Sequence, residues 1–175
     1  ITNVGVSHIE NLGSREGILK AKCEIFDYIN KNGKAILNGD DDMLITMEGK
    51  LPVEVIWFGV ENHKGIYAKN IKPIGIEKIQ CDIITNQGCF NVIIPVPGNH
   101  MVLNAMAATA VGLNLGLSLD QIKTGIENFM PTKMRMAVEN TKNGITIIND
   151  AYNANPVSMK AAIDVISSAE NRKVC

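Results

Sequence analysis

No Cys-x-x-Cys pair, no basic cluster and no long apolar run occurs in this 175-residue sequence, and each absence removes a class of explanation. The cysteines at 23, 81, 89 and 175 show no metal-ligand spacing and read as reduced, mostly buried thiols of a cytosolic protein. Seventeen basic residues against 18 acidic ones leave a formal net charge of −1, so electrostatics gives no reason to expect nucleic acid or an anionic membrane as partner. No apolar run approaches the roughly 18 residues that span a bilayer, and these residues are not expected to include a signal peptide. Internal repeats and low-complexity tracts are missing too. So is any G-x-x-x-x-G-K-[ST], and with it a phosphate cradle. What is present is the 46% hydrophobic content of a chain that builds a core. The sequence opens on "ITNVGVSHIE", strand-like and without Met, and stops at "RKVC", which reads as the start of another strand. We expect a fragment of a longer protein.

The pattern of apolar residues predicts alternating strands and helices. Ile1–Val6 reads as a buried strand, followed by an amphipathic helix from about Ser14 to Asn30 that stops at Asn32-Gly33. Ala35–Asn38 is a short strand. Asp40-Asp41-Asp42 then caps a short helix through about Met47, and Val53–Val60 is another strand. From Ile66 to Pro95 the period becomes two, with a turn at Asn86-Gln87-Gly88. Placing Ile79, Cys81 and Ile83 on the same face as Val92, Ile94 and Val96 suggests pairing Thr85 with Phe90, Ile83 with Val92 and Cys81 with Ile94. In that register no disulfide joins Cys81 to Cys89. His100–Leu113 is an Ala-rich helix, and Asp120–Phe129 a shorter one after the N-cap candidate Ser118. Beyond a break near Pro131, Arg135–Asn140 and Ile145–Asn149 flank an Asn143-Gly144 turn, and Pro156 opens a last helix to about Ala169. The expected fold class is α/β, a parallel sheet with helices and a small antiparallel extension.

Four places could carry chemistry. On the first long helix, Lys22 falls within roughly 60° of Ile18, Leu19, Ile25, Phe26 and Ile29, while Lys20 lies roughly 160° away among acidic residues. A lysine on an apolar stripe can run its methylenes along the core and keep its ammonium wet. Alternatively it is a desolvated amine, nucleophilic enough to add carbon dioxide; the resulting carbamate is an oxygen ligand suited to Mg²⁺. His8 follows directly after a predicted strand, on the side of an α/β sheet where ligands bind, although by itself such a position more often holds a structural histidine. In "VPGNHMVLNAMAATAVG", Asn104 lies one turn inside a helix, where its amide could read a base edge or simply belong to a capped core helix. In "NDAYNANPVSM", Asp150 ends a strand and a polar loop leads to a helix start, a generic ligand-binding geometry.

The stretches "ITNVGVSHIENLGSREGILKAKCEIF", "VPGNHMVLNAMAA", "KMRMAVEN" and "INDAYNANPVSMKAAI", in this order, resemble the Mur ligases. The nearest likeness is to members that add D-alanyl-D-alanine to UDP-N-acetylmuramoyl-tripeptide. The resemblance implies a cytoplasmic, ADP-forming amide-bond ligase of peptidoglycan synthesis, acting through an acyl-phosphate and so serving cell shape and division. It implies ATP and Mg²⁺ as cofactors, the UDP-tripeptide and the dipeptide as partners, and a monomer. Residues 1–133 would be the later part of the central ATP-binding domain, and residues 134–175 the start of a Rossmann-like C-terminal domain. It further implies that Lys22 is carbamylated and, with His8, holds Mg²⁺. Asn104 would contact adenine, Arg135 the ATP phosphates, and Asp150 the ribose side. Met101 stands where family members usually carry Asn, directly after the histidine of the "GxHN" pattern. Sibling activities carry the same implication: the diaminopimelate-adding ligase or folylpolyglutamate synthase. A non-catalytic nucleotide- or partner-binding relative is the alternative from another class. Lacking a phosphate loop, the chain alone is expected neither to catalyse nor to hold ATP tightly.

Overall fold

Five strands form one sheet in the order β1-β2-β3-β4-β5 in the computed structural model, which describes residues 1–6, 9–169 and 173–174. They are β1 (Lys34–Asn38), β2 (Glu54–Gly59), β3 (Ile66–Ile74), β4 (Lys78–Thr85) and β5 (Gly88–Ile94). β1 and β2 pair in parallel from Lys34↔Glu54 to Asn38↔Phe58, and β2 continues in parallel onto β3. β3, β4 and β5 then run antiparallel. The sheet is thus the α/β arrangement expected, with parallel strands and an antiparallel extension.

Burial explains the difference between the two halves. The parallel strands are covered on both faces, as such strands must be when helices lie on either side. Ala35, Leu37 and Trp57 face a core completed by Val4, Ile18, Phe26 and Leu44. Phe58 faces the other core, against the helix α3 (Asn99–Asn114) through Val102, Met106 and Ala110. β4 alternates strictly: Ile79, Cys81 and Ile83 are buried, while Gln80 and Asp82 lie on the outer face, hydrogen-bonded to Asn91. Helix α4 (Leu119–Glu127) starts with a capping box between Ser118 and Gln121 and buries Ile122 and Ile126. Its approach to α3 requires Gly112, where a Cβ would stand 2.7 Å from Ile122 Cγ1.

Several expectations shift. The hairpin has a two-residue loop, so Thr85 pairs with Gly88, Ile83 with Phe90 and Cys81 with Val92, two residues away from the anticipated register. Thr85 supplies the reason: its Oγ1 accepts from the Gln87 N–H and donates to Gly88 O, closing the turn tightly. A slip of two leaves every side chain on its face, so all six predicted inward residues are still buried. Cys89 stands opposite Ile84, and Cys23, Cys81 and Cys89 are free thiols.

The first long helix is shorter than predicted. After the four-residue α1 (Ile9–Leu12), α2 (Arg15–Cys23) begins at the N-cap Ser14 and passes into a 3₁₀ turn at Glu24–Phe26. Asp40-Asp41-Asp42 does not act as one cap. Asp41 alone caps the 3₁₀ turn Leu44–Met47, accepting from the Met43 and Leu44 N–H groups. Asp40 instead accepts from the backbone N–H groups of Val60, Glu61 and Asn62, tying the end of β1 to the end of β2.

The remaining unit is a hairpin of β6 (Ala137–Asn140) and β7 (Thr146–Asn149), followed by α5 (Pro156–Ser167), whose N-cap Asn155 forms a capping box with Ser158. It meets the first sheet through Val96, Met136 and Val165, and through an Asn140 Nδ2 to Glu77 Oε1 hydrogen bond of 3.1 Å. Arg135 precedes β6 rather than opening it, because Met134 (φ 62°) and Met136 (φ 49°) are left-handed and cannot continue a ladder.

Burial and the adjacent Asp82 push the Cys81 thiol up to about 11, whereas Cys89 is exposed. At pH 8, iodoacetamide should therefore label Cys89 in the native protein and reach Cys81 only when the sheet opens. Peptide mass spectrometry over a urea series reads both rates; equal rates in the native state would contradict the packing of β4.

Candidate functional site

A cleft of about 660 Å³ lies between the segment Asn3–Val6, the start of α3, and residues leading from Pro131 into the β6–β7 unit. Its size is that of a small-molecule site. Asn104, Arg135 and Asp150 all line it, although they come from a helix, an irregular segment and a strand end. Arg15, Asp41 and His100 join them.

The wall below α3 is built by side chains gripping one stretch of main chain. Ile1–Val6, expected as a strand, pairs with β1 at Ile1, where the Asn38 N–H donates to Ile1 O at 3.3 Å. Side chains then take over. Asn38 Nδ2 donates to Thr2 O at 3.0 Å, and Lys22 Nζ to Asn3 O at 2.7 Å. Arg15 Nε and Nη2 both donate to Val4 O, and the Val4 N–H donates to Asp41 Oδ2 at 2.7 Å. The same Arg15 forms a two-pronged pair with Asp42, with Nη1 to Oδ2 at 2.8 Å. That pairing holds the Asp42 carboxyl below its ordinary range and raises Arg15. Nothing in the sequence alone singled out Arg15; its place directly after the N-cap Ser14 looks like an exposed first turn.

α3 supplies the opposite wall. Gly98, at φ 101°, offers no side-chain cap to its first N–H groups. His100 is half-buried there, and desolvation lowers its pKa against the pull of the Asp150 carboxylate. Asn104 is exposed to the cleft, its Nδ2 3.6 Å from the sulfur of Met101.

The backbone is held on both sides of Arg135, and its side chain is stacked. Tyr152 donates its N–H to Met134 O at 3.1 Å, and the Met136 N–H donates to Asp150 Oδ1 at 3.0 Å. The guanidinium carbon lies 4.0 Å from the centroid of the Tyr152 ring. Tyr152 was legible only as the aromatic residue in an otherwise polar loop.

Of the two remaining sequence candidates, one can be placed. Lys22 is exposed rather than central to an apolar stripe, and it does not line the cleft, although its hydrogen-bond partner Asn3 does. Ile18, Leu19, Phe26 and Ile29 pack in one core cluster as the wheel placed them, but Lys22 lies at the edge of that stripe and Ile25, in the 3₁₀ turn that follows α2, is 69% exposed. His8 lies outside the described residues. Among the described residues no group of three or more His, Cys, Asp or Glu could hold a metal ion. Carbamylation of the accessible Lys22 amine would add a hard oxygen donor beside the Asn3 carbonyl, which is the ligand type Mg²⁺ takes.

A cleft beside Asp41, just past the C-terminal end of the parallel strand β1, defines the class: an α/β domain with a cleft at the carboxyl edge of its sheet, the edge where ligands of such sheets bind. Residues 1–112 match the family model described as the Mur ligase middle domain, and the chain belongs to the Mur ligase family. It is 37% identical over 171 residues to the UDP-N-acetylmuramoyl-tripeptide--D-alanyl-D-alanine ligase of Bacillus subtilis, covering 97% of this chain and 36% of that protein. The enzyme of the same name from Escherichia coli is 31% identical, with 99% of this chain and 39% of that protein covered. The crystal structure of MurF from Acinetobacter baumannii superposes with a TM-score of 0.89 at 34% identity, over 97% of this chain and 37% of that one. MurF ligase from Thermotoga maritima, solved in complex with ADP, gives 0.82 at 25% identity, over 94% and 38%. The chain thus spans little more than a third of the relatives it matches.

Because Asp42 carries a depressed pKa in the folded state, its pairing with Arg15 stabilises the protein above the ordinary carboxylate value near 4. That contribution is lost as pH falls through the folded value, since the unfolded chain takes up the proton first. Thermal melts between about pH 6 and pH 3 should fall more steeply for the wild type than for Asp42→Asn. Parallel curves would show that the pair does not discriminate the folded state.

Proposed function

We propose that this chain is the nucleotide-proximal part of an ATP-dependent ligase that joins D-alanyl-D-alanine to UDP-N-acetylmuramoyl-tripeptide through an acyl-phosphate. The observation that carries the reading is the convergence of Asn104, Arg135 and Asp150 on one cleft. It is supported by the activity named for the relatives and by the ADP held in the Thermotoga maritima structure. On this reading residues 1–133 belong to a central ATP-binding domain and residues 134–175 begin a C-terminal domain, of a monomer working in the cytoplasm.

The chemistry follows from the side chains. Asn104 presents a carboxamide, donor and acceptor together, to an adenine edge. Arg135 presents a planar fork of N–H donors to phosphoryl oxygens and offsets the charge that builds up during transfer. Asp150 holds the Met136 N–H with one oxygen and leaves the other for the ribose side. His100, kept neutral by burial, adds no cation there at neutral pH. A carbamate on Lys22, with His8, would hold Mg²⁺, which supplies charge neutralisation at the phosphates. Lys22 has a second reading, favoured by its exposure and its bond to Asn3 O: a lysine that fastens the cleft wall as an ammonium.

Phosphate release by the full-length enzyme tests the assignment. It should require ATP, the UDP-tripeptide and D-alanyl-D-alanine together. Turnover with a single amino acid in place of the dipeptide would instead indicate a sibling ligase, and no turnover with any acceptor a binding module.

For Lys22 the discriminating change is Lys22→Arg in the full-length enzyme under saturating bicarbonate. Arginine keeps the cation and can still donate to Asn3 O, but it takes up no carbon dioxide. The carbamate reading expects a loss on the order of 10³-fold in kcat, with Lys20→Arg as a nearly silent control. Activity close to wild type would leave only the fastening role.

The isolated chain, having no G-x-x-x-x-G-K-[ST] loop, should show no micromolar binding of Mg-ATP by calorimetry. A micromolar dissociation constant would mean that the Asn104–Arg135 side dominates affinity.

A further inference from the structure

The segment around Arg135 is costly to build. Met134 and Met136 are both left-handed without being glycine or asparagine, a conformation that persists only where the surroundings over-determine it. Here one short loop does so. Its Asp150 takes the Met136 N–H, its Tyr152 N–H reaches Met134 O, and the Tyr152 ring lies against the guanidinium between them. Tyr152 is 60% exposed, so burying its ring in a core is not what fixes it. Among the described residues no carboxylate pairs with Arg135. A guanidinium stacked on an aromatic face keeps its in-plane N–H edge free for a planar acceptor such as a phosphoryl group.

We propose that Tyr152 is a positioning residue: its ring holds the Arg135 guanidinium flat in the cleft, so that the N–H edge is presented to a phosphoryl group before the ligand arrives. This rests on the reading that Arg135 meets the nucleotide phosphates. Two left-handed residues turn the Arg135 side chain out of the β6 path, and the stack removes the rotamer freedom that a long exposed side chain would otherwise lose on binding.

The test is a double-mutant cycle in the full-length ligase, with kcat and KM for ATP measured separately. Tyr152→Ala should lower kcat/KM for ATP by about three- to tenfold, the range of an exposed cation–π contact plus lost pre-organisation. KM for the dipeptide should not move. Tyr152→Leu keeps bulk without a π face and should behave like the alanine variant. Tyr152→Phe keeps the ring and should stay within about twofold of wild type. Arg135→Ala should lower activity further, and adding Tyr152→Ala to it should cost nothing more. A full Tyr152→Ala penalty in the Arg135→Ala background would overturn the proposal, and so would wild-type kinetics for Tyr152→Leu while Arg135→Ala is impaired. An unimpaired Arg135→Ala would remove the phosphate reading itself, and the positioning role with it. Melting temperatures of all variants separate these outcomes from loss of fold.

Discussion

Main-chain polar groups that leave water must find partners, and the stretch Thr2–Val4, which runs from the surface into the core at Val4, is where that requirement organises the rest. A strand would meet it with a ladder. Here the ladder stops at Ile1, and four side chains from three different elements take its place: Asn38 from β1, Lys22 and Arg15 from α2, and Asp41 from the turn after β1. Fastening one short piece of backbone therefore docks α2 against the sheet and sets the Asp41–Leu44 turn. It also seats Val4 in the core with Leu37 and Trp57. The neighbouring Gly5 and Val6 are left lining the cleft.

The far wall is built on a different principle. Around Arg135 the backbone is forced rather than relaxed, with left-handed methionines on both sides held by hydrogen bonds from the Asp150–Tyr152 loop. Strain of this kind, on the order of 1–3 kcal/mol per residue, survives where it serves a purpose. The cleft thus lies between a wall of main chain fastened by side chains and a wall whose backbone is forced. The forced wall carries Arg135, whose side chain is exposed. The small cluster of Val96, Met136 and Val165 and the Asn140–Glu77 bond join that wall's unit to the main sheet.

Much of this was legible in the order of residues. The alternation in β4 and β5 identified all six inward side chains, because facing depends only on the parity of position, and parity survived a register shift of two. The helices α3, α4 and α5, the Ser118 cap and the Asn143-Gly144 turn followed from local chemistry that needs no distant partner. The resemblance carried by four separated stretches pointed to the family that the match over residues 1–112 shows. By contrast, the acidic triplet at 40–42 read as one cap, when each aspartate in fact serves a different segment.

What the sequence by itself determined is therefore what depends on near neighbours: periodicity, caps, turns and the facing of strands. Tertiary structure decided everything that depends on where a regular element ends and what it meets. A wheel placed Lys22 in the middle of an apolar stripe, and Ile18, Leu19, Phe26 and Ile29 do pack together. The 3₁₀ turn at Glu24 turns Ile25 out of it, and Lys22, at its edge, stands exposed with its ammonium on Asn3 O. Asn104, Arg135 and Asp150 are spread over 46 residues of chain and share a cleft only because the β6–β7 unit folds back against α3. No spacing rule could bring Tyr152 onto Arg135. Their contact comes from two left-handed residues whose conformation no local propensity favours and which only the surrounding loop holds in place.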